Sequence, residues 1–296
     1  MDRSITFCIT DVFASEKYSG NQLLTFLPGP AITDQEMLSI AREINFSETT
    51  FILSEKSGQK GFTVRIFTPG EEVPFAGHPT LGTAFVIRQE LIKHPVDMIK
   101  LDLKIGSVPV TFPKEGQNKL LWMEQATPEF GKKVVPEQVA SVLGLATSEI
   151  DSEFPVEEVS TGFPFLIVPL KSLDTLKKCT LNRERYYYLV NDIWAKNILV
   201  FCPNGYNSEQ QLGVRVFPLF YGIEEDAATG SGNGCLAAYL VKNRYFKSND
   251  IDITVGQGYE LGRPSQLYLR ANELSGKFKV QVGGKVISIA KGTWYL

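Results

Sequence analysis

Glu48, His78 and Asp226 are the side chains most able to do chemistry in this chain. Glu48 lies in Asn45-Phe46-Ser47-Glu48-Thr49-Thr50-Phe51, between a helical pattern and a strand. A carboxylate beside an apolar wall has a raised pKa, so it can both take and give a proton near neutrality. The competing reading is a solvated loop glutamate. His78 follows Ala76-Gly77 and precedes Pro79, which puts it at the predicted N-cap of a helix. There it can donate to a bound anion or simply cap the helix. Asp226 stands beside the small-residue run Gly230-Ser231-Gly232-Asn233-Gly234. Ser231 would present a hydroxyl and an N–H at a second helix start, or act only as an N-cap. Glu224 and Glu225 read as a solvated acidic face, and His94 as a surface residue closing the first helix.

These residues sit in a sequence repeat. The first copy runs Val64-Arg65-Ile66-Phe67, then Glu71-Glu72, then Phe75-Ala76-Gly77-His78-Pro79, then an apolar run to Ile87. The second runs Val214-Arg215-Val216-Phe217, then Glu224-Glu225-Asp226, then Gly230 to Gly234, then an apolar run to Val241. Each copy reads as strand, acidic turn, small-residue loop and helix. The repeat predicts two similar halves, each aiming a helix N-terminus at a shared cleft. Such an end presents unpaired N–H groups and partial positive charge, which suits a carboxylate or phosphate.

Composition narrows the classes. A chain of 296 residues, 43% hydrophobic and 21% charged, is an ordinary globular one, long enough for two cores. A net charge of −3 without a Lys/Arg run argues against a nucleic-acid partner. The start of the chain leads directly into a strand-like segment, so neither a signal peptide nor a membrane span is expected, and the cytoplasm is the default location. The four cysteines are scattered, and Cys8 and Cys202 sit in apolar runs typical of buried thiols. Neither metal-ligand spacing, a P-loop nor a Rossmann fingerprint occurs. No Ser-His-Asp or Cys-His set can be assembled, because His78 is the one histidine placed to serve as a base.

The elements follow from periodicity and punctuation. Thr33-Asp34-Gln35-Glu36 is a capping box opening a helix with an apolar stripe at Met37, Leu38, Ile40, Ala41 and Ile44. Pro136 starts another helix, which Gly144 ends. Strands fit 5–12, 50–53, 63–67, 98–103, 108–112, 120–123, 165–168 and 198–201, with helical patterns at 173–178 and 184–193. The tail from Gln266 is strand-rich, with turns expected at Ser275-Gly276 and Gly283-Gly284. A composition shift after Ala126 sets the domains at 1–126 and 127–296, with the closing residues able to pack back on the first half.

The chain resembles the phenazine-biosynthesis PhzF-like family, which shares the diaminopimelate epimerase-like fold. The resemblance is carried by Asp11-Val12-Phe13 with Gly20-Asn21, Asn45-Phe46-Ser47-Glu48-Thr49-Thr50-Phe51, Arg65 to Pro69, Pro74-Phe75-Ala76-Gly77-His78-Pro79-Thr80, Asp226 to Gly232, and Gly262-Arg263-Pro264-Ser265. It implies an α+β chain of two pseudo-symmetric domains, each a curled sheet around a central helix, with the site between them. It implies no cofactor and no metal. It also implies Glu48 as the proton-carrying acid/base with His78 and Asp226 as partners. Gly77, Pro79, Thr80, Gly230, Ser231 and Gly232 are then substrate-binding. Gly77 and Ser231 stand where the related epimerases carry their two cysteines, so a two-thiol mechanism is not supported. Two departures touch the loops: Ala227 replaces a common proline, and Gly232-Asn233-Gly234 is unusually glycine-rich.

The expected function is a cofactor-independent isomerase shifting a proton on a small carboxylated substrate, cyclic or unsaturated. An amino- or hydroxy-acid epimerase, with Ser231 or His78 serving the opposite face, is the enzymatic alternative. A non-catalytic binder of a small anionic metabolite is the other. A homodimer is compatible with the sequence, which sets neither the oligomeric state nor the substrate.

Overall fold

The computed structural model describes residues 3–54, 61–114 and 119–296. The chain forms two compact units, one of Met1–Glu124 with Gly283–Leu296 and one of Gln125–Val282. The divisions thus fall at 124/125 and again at 282/283.

In the first unit the order is β1 (Ser4–Val12), β2 (Asn21–Phe26), α1 (Asp34–Ile44), β3 (Glu48–Ile52), β4 (Phe62–Phe67), β5 (Glu72–Val73), α2 (Gly77–Val86), β6 (Met98–Leu103), β7 (Gly106–Thr111) and β8 (Leu121–Glu124). The second holds β9 (Glu129–Lys133), α3 (Pro136–Leu143), β10 (Glu157–Ser160), β11 (Pro164–Pro169), α4 (Leu173–Lys178), α5 (Arg183–Asp192), β12 (Asn197–Pro203), β13 (Leu212–Phe217), α6 (Gly230–Lys242), β14 (Asp250–Gln257), β15 (Ser265–Leu274) and β16 (Lys277–Gly284). The last strand, β17 (Val286–Tyr295), pairs antiparallel with β1, and this ladder ties the C-terminal segment to the first unit.

The repeat extends to strand pairing. In the first unit β1–β2 is antiparallel, β2–β3 parallel, β3–β4 antiparallel, β4–β6 parallel and β6–β7 antiparallel. In the second, β10–β11 is antiparallel, β11–β12 parallel, β12–β13 antiparallel, β13–β14 parallel and β14–β15 antiparallel. The same alternation occurs twice, with α2 and α6 occupying equivalent crossovers. A parallel pair needs such a crossover, which is why each half inserts its helix at that place.

Both crossover helices are enclosed. Every residue of α6 from Gly230 to Val241 is buried, and α2 is buried from Gly77 to Ala84. A helix apolar on all sides is stable only when surrounded. Small residues let the strands approach: a Cβ on Gly82 would lie 2.5 Å from Leu23 Cδ2 and 2.8 Å from Val12 Cγ2. The outer helices are one-sided. Met37, Ile40 and Ala41 of α1 pack on Phe26, Phe51 and Phe67, and Phe26 stacks on Phe51 at 4.9 Å. Val139 and Leu143 of α3 join Tyr186 and Val190 of α5 over Val168 and Val200.

Local signals explain the helix ends. Thr33 and Glu36 form the reciprocal capping box, and Gly144 closes α3 with φ +66°. Gly283-Gly284 is not a turn, however; both residues belong to β16. A Cβ on Gly283 would come within 2.7 Å of the Trp122 ring, and one on Gly284 within 2.3 Å of Phe13. These glycines admit aromatic rings against the strand rather than reversing it.

The acidic turns also differ from expectation. Glu225 is not solvated: Arg215 Nε and Nη2 donate to its two carboxylate oxygens at 2.9 and 2.8 Å, and both side chains are 9% exposed. The first unit repeats the clamp, with Arg65 Nε and Nη2 donating to Glu72 at 2.8 and 2.6 Å. Arg65 hydrogen bonding holds the Glu72 carboxyl below its usual range. Each arginine also lies 5.0 Å from the ring of the phenylalanine two residues on, Phe67 or Phe217. The Arg-x-Phe…Glu pattern common to both copies is therefore a structural staple.

Candidate active site

Glu48 opens β3 rather than occupying a loop, and pairs in register with Leu23 of β2. Asn45 ends α1 at φ 55°, a left-handed position that asparagine tolerates well. Phe46 then packs into the α1 core, and the chain enters β3 with the Glu48 side chain 16% exposed.

His78 is not an N-cap. Ala76 holds that position without a side-chain bond, and His78 is the second residue of α2. Histidine and helix therefore meet differently from the sequence reading. The imidazole is buried at 3% exposure, and its Nε2 lies 3.5 Å from Glu48 Oε2. On the other edge, Asn21 Nδ2 approaches His78 Nδ1 at 3.3 Å. With Nδ1 accepting, the neutral ring carries its proton on Nε2, toward Glu48. Thr80 donates its hydroxyl to the Ala76 carbonyl at 2.8 Å, and Pro79 has no N–H to satisfy. Gly77 and His78 thus stand at the positive end of the α2 dipole.

Buried hydroxyls tie this helix to the strand carrying Glu48. Thr83 of α2 donates to Thr50 of β3, and Thr50 donates to Thr25 of β2, each at 2.9 Å. Thr25, Thr50 and Thr83 are wholly buried. Thr50 is two residues from Glu48 and Thr83 five from His78, so this chain of bonds fixes one relative to the other.

In the second unit Asp226 is 8% exposed, and its N–H donates to the Val216 carbonyl at 3.0 Å. Thr229 Oγ1 donates to Asp226 Oδ2 at 2.5 Å, the length expected of a hydroxyl bound to a carboxylate. Thr229, not Ser231, is the N-cap of α6, and Ser231 is the second helical residue at 7% exposure. Ser231 in α6 and His78 in α2 hold the same position counted from their helix starts. Gly230 and Gly232 flank Ser231, and a Cβ on Gly232 would sit 3.0 Å from the Phe165 ring.

Sequence reasoning missed Gln257 and Asn233, both wholly buried behind this loop, and assigned no role to Thr229. No motif marks Gln257, the last residue of β14. Asn21 stood beside Gly20 in the resemblance, yet no local pattern ties it to His78. Among the described residues no group of three His, Cys, Asp or Glu side chains is placed to hold a metal ion. No helix among them is long and apolar enough to cross a membrane.

The cysteines are all buried. Burial pushes the Cys179, Cys202 and Cys235 thiols up to about 12, and raises Cys8 as well. A thiol of pKa about 12 is ionised on the order of one part in 10⁴ to 10⁵ at pH 7.5, and the thiolate is the reactive form. Iodoacetamide at that pH is expected to leave activity intact, while the denatured chain takes up four equivalents, one per cysteine. Stoichiometric inactivation that substrate blocks would restore a thiol mechanism.

The family model for phenazine biosynthesis-like proteins matches residues 10–292. The trans-2,3-dihydro-3-hydroxyanthranilate isomerase of Pseudomonas aeruginosa is 33% identical over 98% of this chain and 99% of its own. Among solved structures, the Bacillus anthracis phenazine biosynthesis protein of the PhzF family superposes with a TM-score of 0.89 at 25% identity, covering 99% of this chain and 100% of the other. A hydroxyproline epimerase from Agrobacterium vitis shares the fold, with a TM-score of 0.65 at 10% identity over 100% and 94% of the two chains.

Proposed function

Because this chain belongs to the phenazine biosynthesis-like family and is an isomerase of the PhzF type, we propose that it moves a proton between two carbons of a small carboxylated substrate, with Glu48 as the carrier. The observation that supports this most is the Glu48–His78 pair, 3.5 Å apart at the N-terminal end of α2, with the imidazole 3% and the carboxylate 16% exposed. Glu48 takes a proton from carbon, and the electron pair left behind spreads into the neighbouring unsaturation. The carboxylic acid then returns the proton at another carbon, so nothing is gained or lost overall. The Nε2–H of His78 donates to charge developing in the transition state, where a fixed donor contributes most. Backbone N–H groups at Gly77 and His78, with Pro79 and Thr80 shaping the turn, hold the substrate carboxylate. Asp226 acts with His78 as a catalytic partner that positions the substrate for the transfer, and Ser231, Gly230 and Gly232 supply further substrate contacts. The substrate class proposed here is supported by the name of the P. aeruginosa relative, which denotes a carboxylated, partly unsaturated ring. No cofactor is required in this scheme.

The test begins with a thermal-shift screen of cyclic and unsaturated carboxylates. Hits are then incubated with enzyme in D₂O. One deuterium should appear at the newly protonated carbon, since a carboxylic acid exchanges with solvent between abstraction and return. Conversion with inversion at a single carbon would instead mark an epimerase. Tight binding of hits with no exchange or conversion would mark a binding protein and overturn the proposal.

A further inference from the structure

We propose that Gln257 and Thr229 form a one-way hydrogen-bond relay that orients the Asp226 carboxylate for the reaction, an inference resting on the role given to Asp226 above. The direction of the relay is fixed by backbone groups, whose polarity is unambiguous. Asn233 presents Nδ2 to the Thr229 carbonyl at 3.0 Å, which can only accept. The same Nδ2 donates to Gln257 Oε1 at 2.9 Å, so the atom of Gln257 facing it is the oxygen. The backbone N–H of Thr229 points at that oxygen too, at 3.3 Å. Gln257 Nε2 must then lie on the other side, where it donates to the Asp226 carbonyl at 2.8 Å and to Thr229 Oγ1 at 3.0 Å.

The consequence falls on Thr229. Its hydroxyl oxygen already accepts from Gln257, so its single proton goes to Asp226 Oδ2 at 2.5 Å. The four side chains therefore read Asn233 to Gln257 to Thr229 to Asp226, every donor and acceptor facing one way. Asn233 and Gln257 are wholly buried, so water does not compete for these bonds. Asp226 Oδ2 is held as an acceptor, and the carboxylate is fixed about its Cβ–Cγ bond. Gly258 follows Gln257 at φ +80°, and a Cβ there would lie 2.5 Å from both the Ala227 and Arg263 carbonyls. The loop carrying Asp226 thus passes close over the end of β14, within reach of Gln257. Gln257 and Thr229 are positioning residues, acting on the substrate only through Asp226.

Thr229→Val removes the hydroxyl and keeps the shape. On a verified substrate it is expected to lower kcat about 10–100-fold with KM within about threefold, while Thr229→Ser stays within about threefold of wild type in kcat. Gln257→Glu, which places oxygens where two N–H groups stood, should fall with Thr229→Val. In an Asp226→Asn background, Thr229→Val should cost less than about threefold more, because the group it orients is already lost. Wild-type kcat in Thr229→Val, equal losses in the Ser and Val variants, or losses that multiply in the double variant would overturn the relay. Failure of the hydroxyl-less and Gln257→Glu proteins to fold at 25 °C also counts against it, since it would assign these side chains to stability. If Glu48→Gln abolishes turnover while Thr229→Val does not reduce it, the relay alone is wrong. Wild-type turnover in Glu48→Gln would remove the reading on which it rests.

Discussion

Glu48→Gln is expected to lower turnover by at least ~10³-fold, on the order of 4 kcal/mol of transition-state stabilisation, while ligand affinity stays within about tenfold. Glutamine has the shape and polarity of glutamate but cannot accept a proton from carbon at neutral pH. The setting should tolerate it: Glu48 is 16% exposed at the first position of β3, and its ladder bonds are made by backbone. His78 keeps its contact with Asn21 and its place in α2, so the anion-binding turn is preserved. A loss of rate without a loss of binding is therefore diagnostic of a group used in the chemical step. Glu48→Asp supplies a graded companion. It retains the carboxylate but withdraws it by one methylene, and a displacement of about 1 Å is expected to cost on the order of 10² in rate. The measurements are steady-state kinetics on a substrate verified by D₂O exchange and affinity by thermal shift. Turnover near wild type in Glu48→Gln would remove Glu48 as the carrier.

Features legible in the sequence are those whose cause is local. The capping box at Thr33 and Glu36, the glycine stop at Gly144 and the proline start at Pro136 each need only a few neighbouring residues, and they appear as read. The two-fold repeat was legible because it is written twice, and the strand pairing follows the same alternation in both units. What was misread depends on partners distant in sequence. Gly283-Gly284 resembles a turn, yet its glycines answer to Trp122 and Phe13. Glu225 resembles part of a solvated acidic run until Arg215, ten residues earlier on β13, is seen to grip both its oxygens. His78 and Ser231 each fall two residues past the N-cap that capping preferences assign to them. Ala76 and Thr229 hold the N-caps without side-chain bonds, so tertiary packing rather than capping sets those helix starts. The Glu48–His78 contact spans a helix and two strands, and Gln257 belongs to no motif. Sequence can suggest such residues by type but cannot place them.

The Arg215 clamp carries the largest expected effect on stability. Arg215→Ala should destabilise the second unit by about 3–5 kcal/mol, because it leaves the buried Glu225 carboxylate without its counter-ion. The loss extends further. Arg215 Nη1 also donates to the carbonyls of Leu176 and Cys179 at 3.1 and 2.8 Å, at the C-terminal end of α4. Those carbonyls lose their side-chain donor, and Phe217 loses the guanidinium against its ring. Burial pulls the guanidinium pKa down, but bonds and charge from Glu225 outweigh it, so the net shift of Arg215 is upward. The equivalent Arg65→Ala should cost less, about 1–2 kcal/mol, since the Arg65 side chain is 20% exposed and water can reach Glu72 after the change. The comparison separates charge burial from mere loss of packing. If charge is the cause, Glu225→Gln should recover part of the Arg215→Ala loss, because it neutralises the orphaned group. Urea midpoints of the four proteins test this. Equal losses for Arg65→Ala and Arg215→Ala, or no recovery with Glu225→Gln, would show that the clamps serve as packing rather than as buried ion pairs.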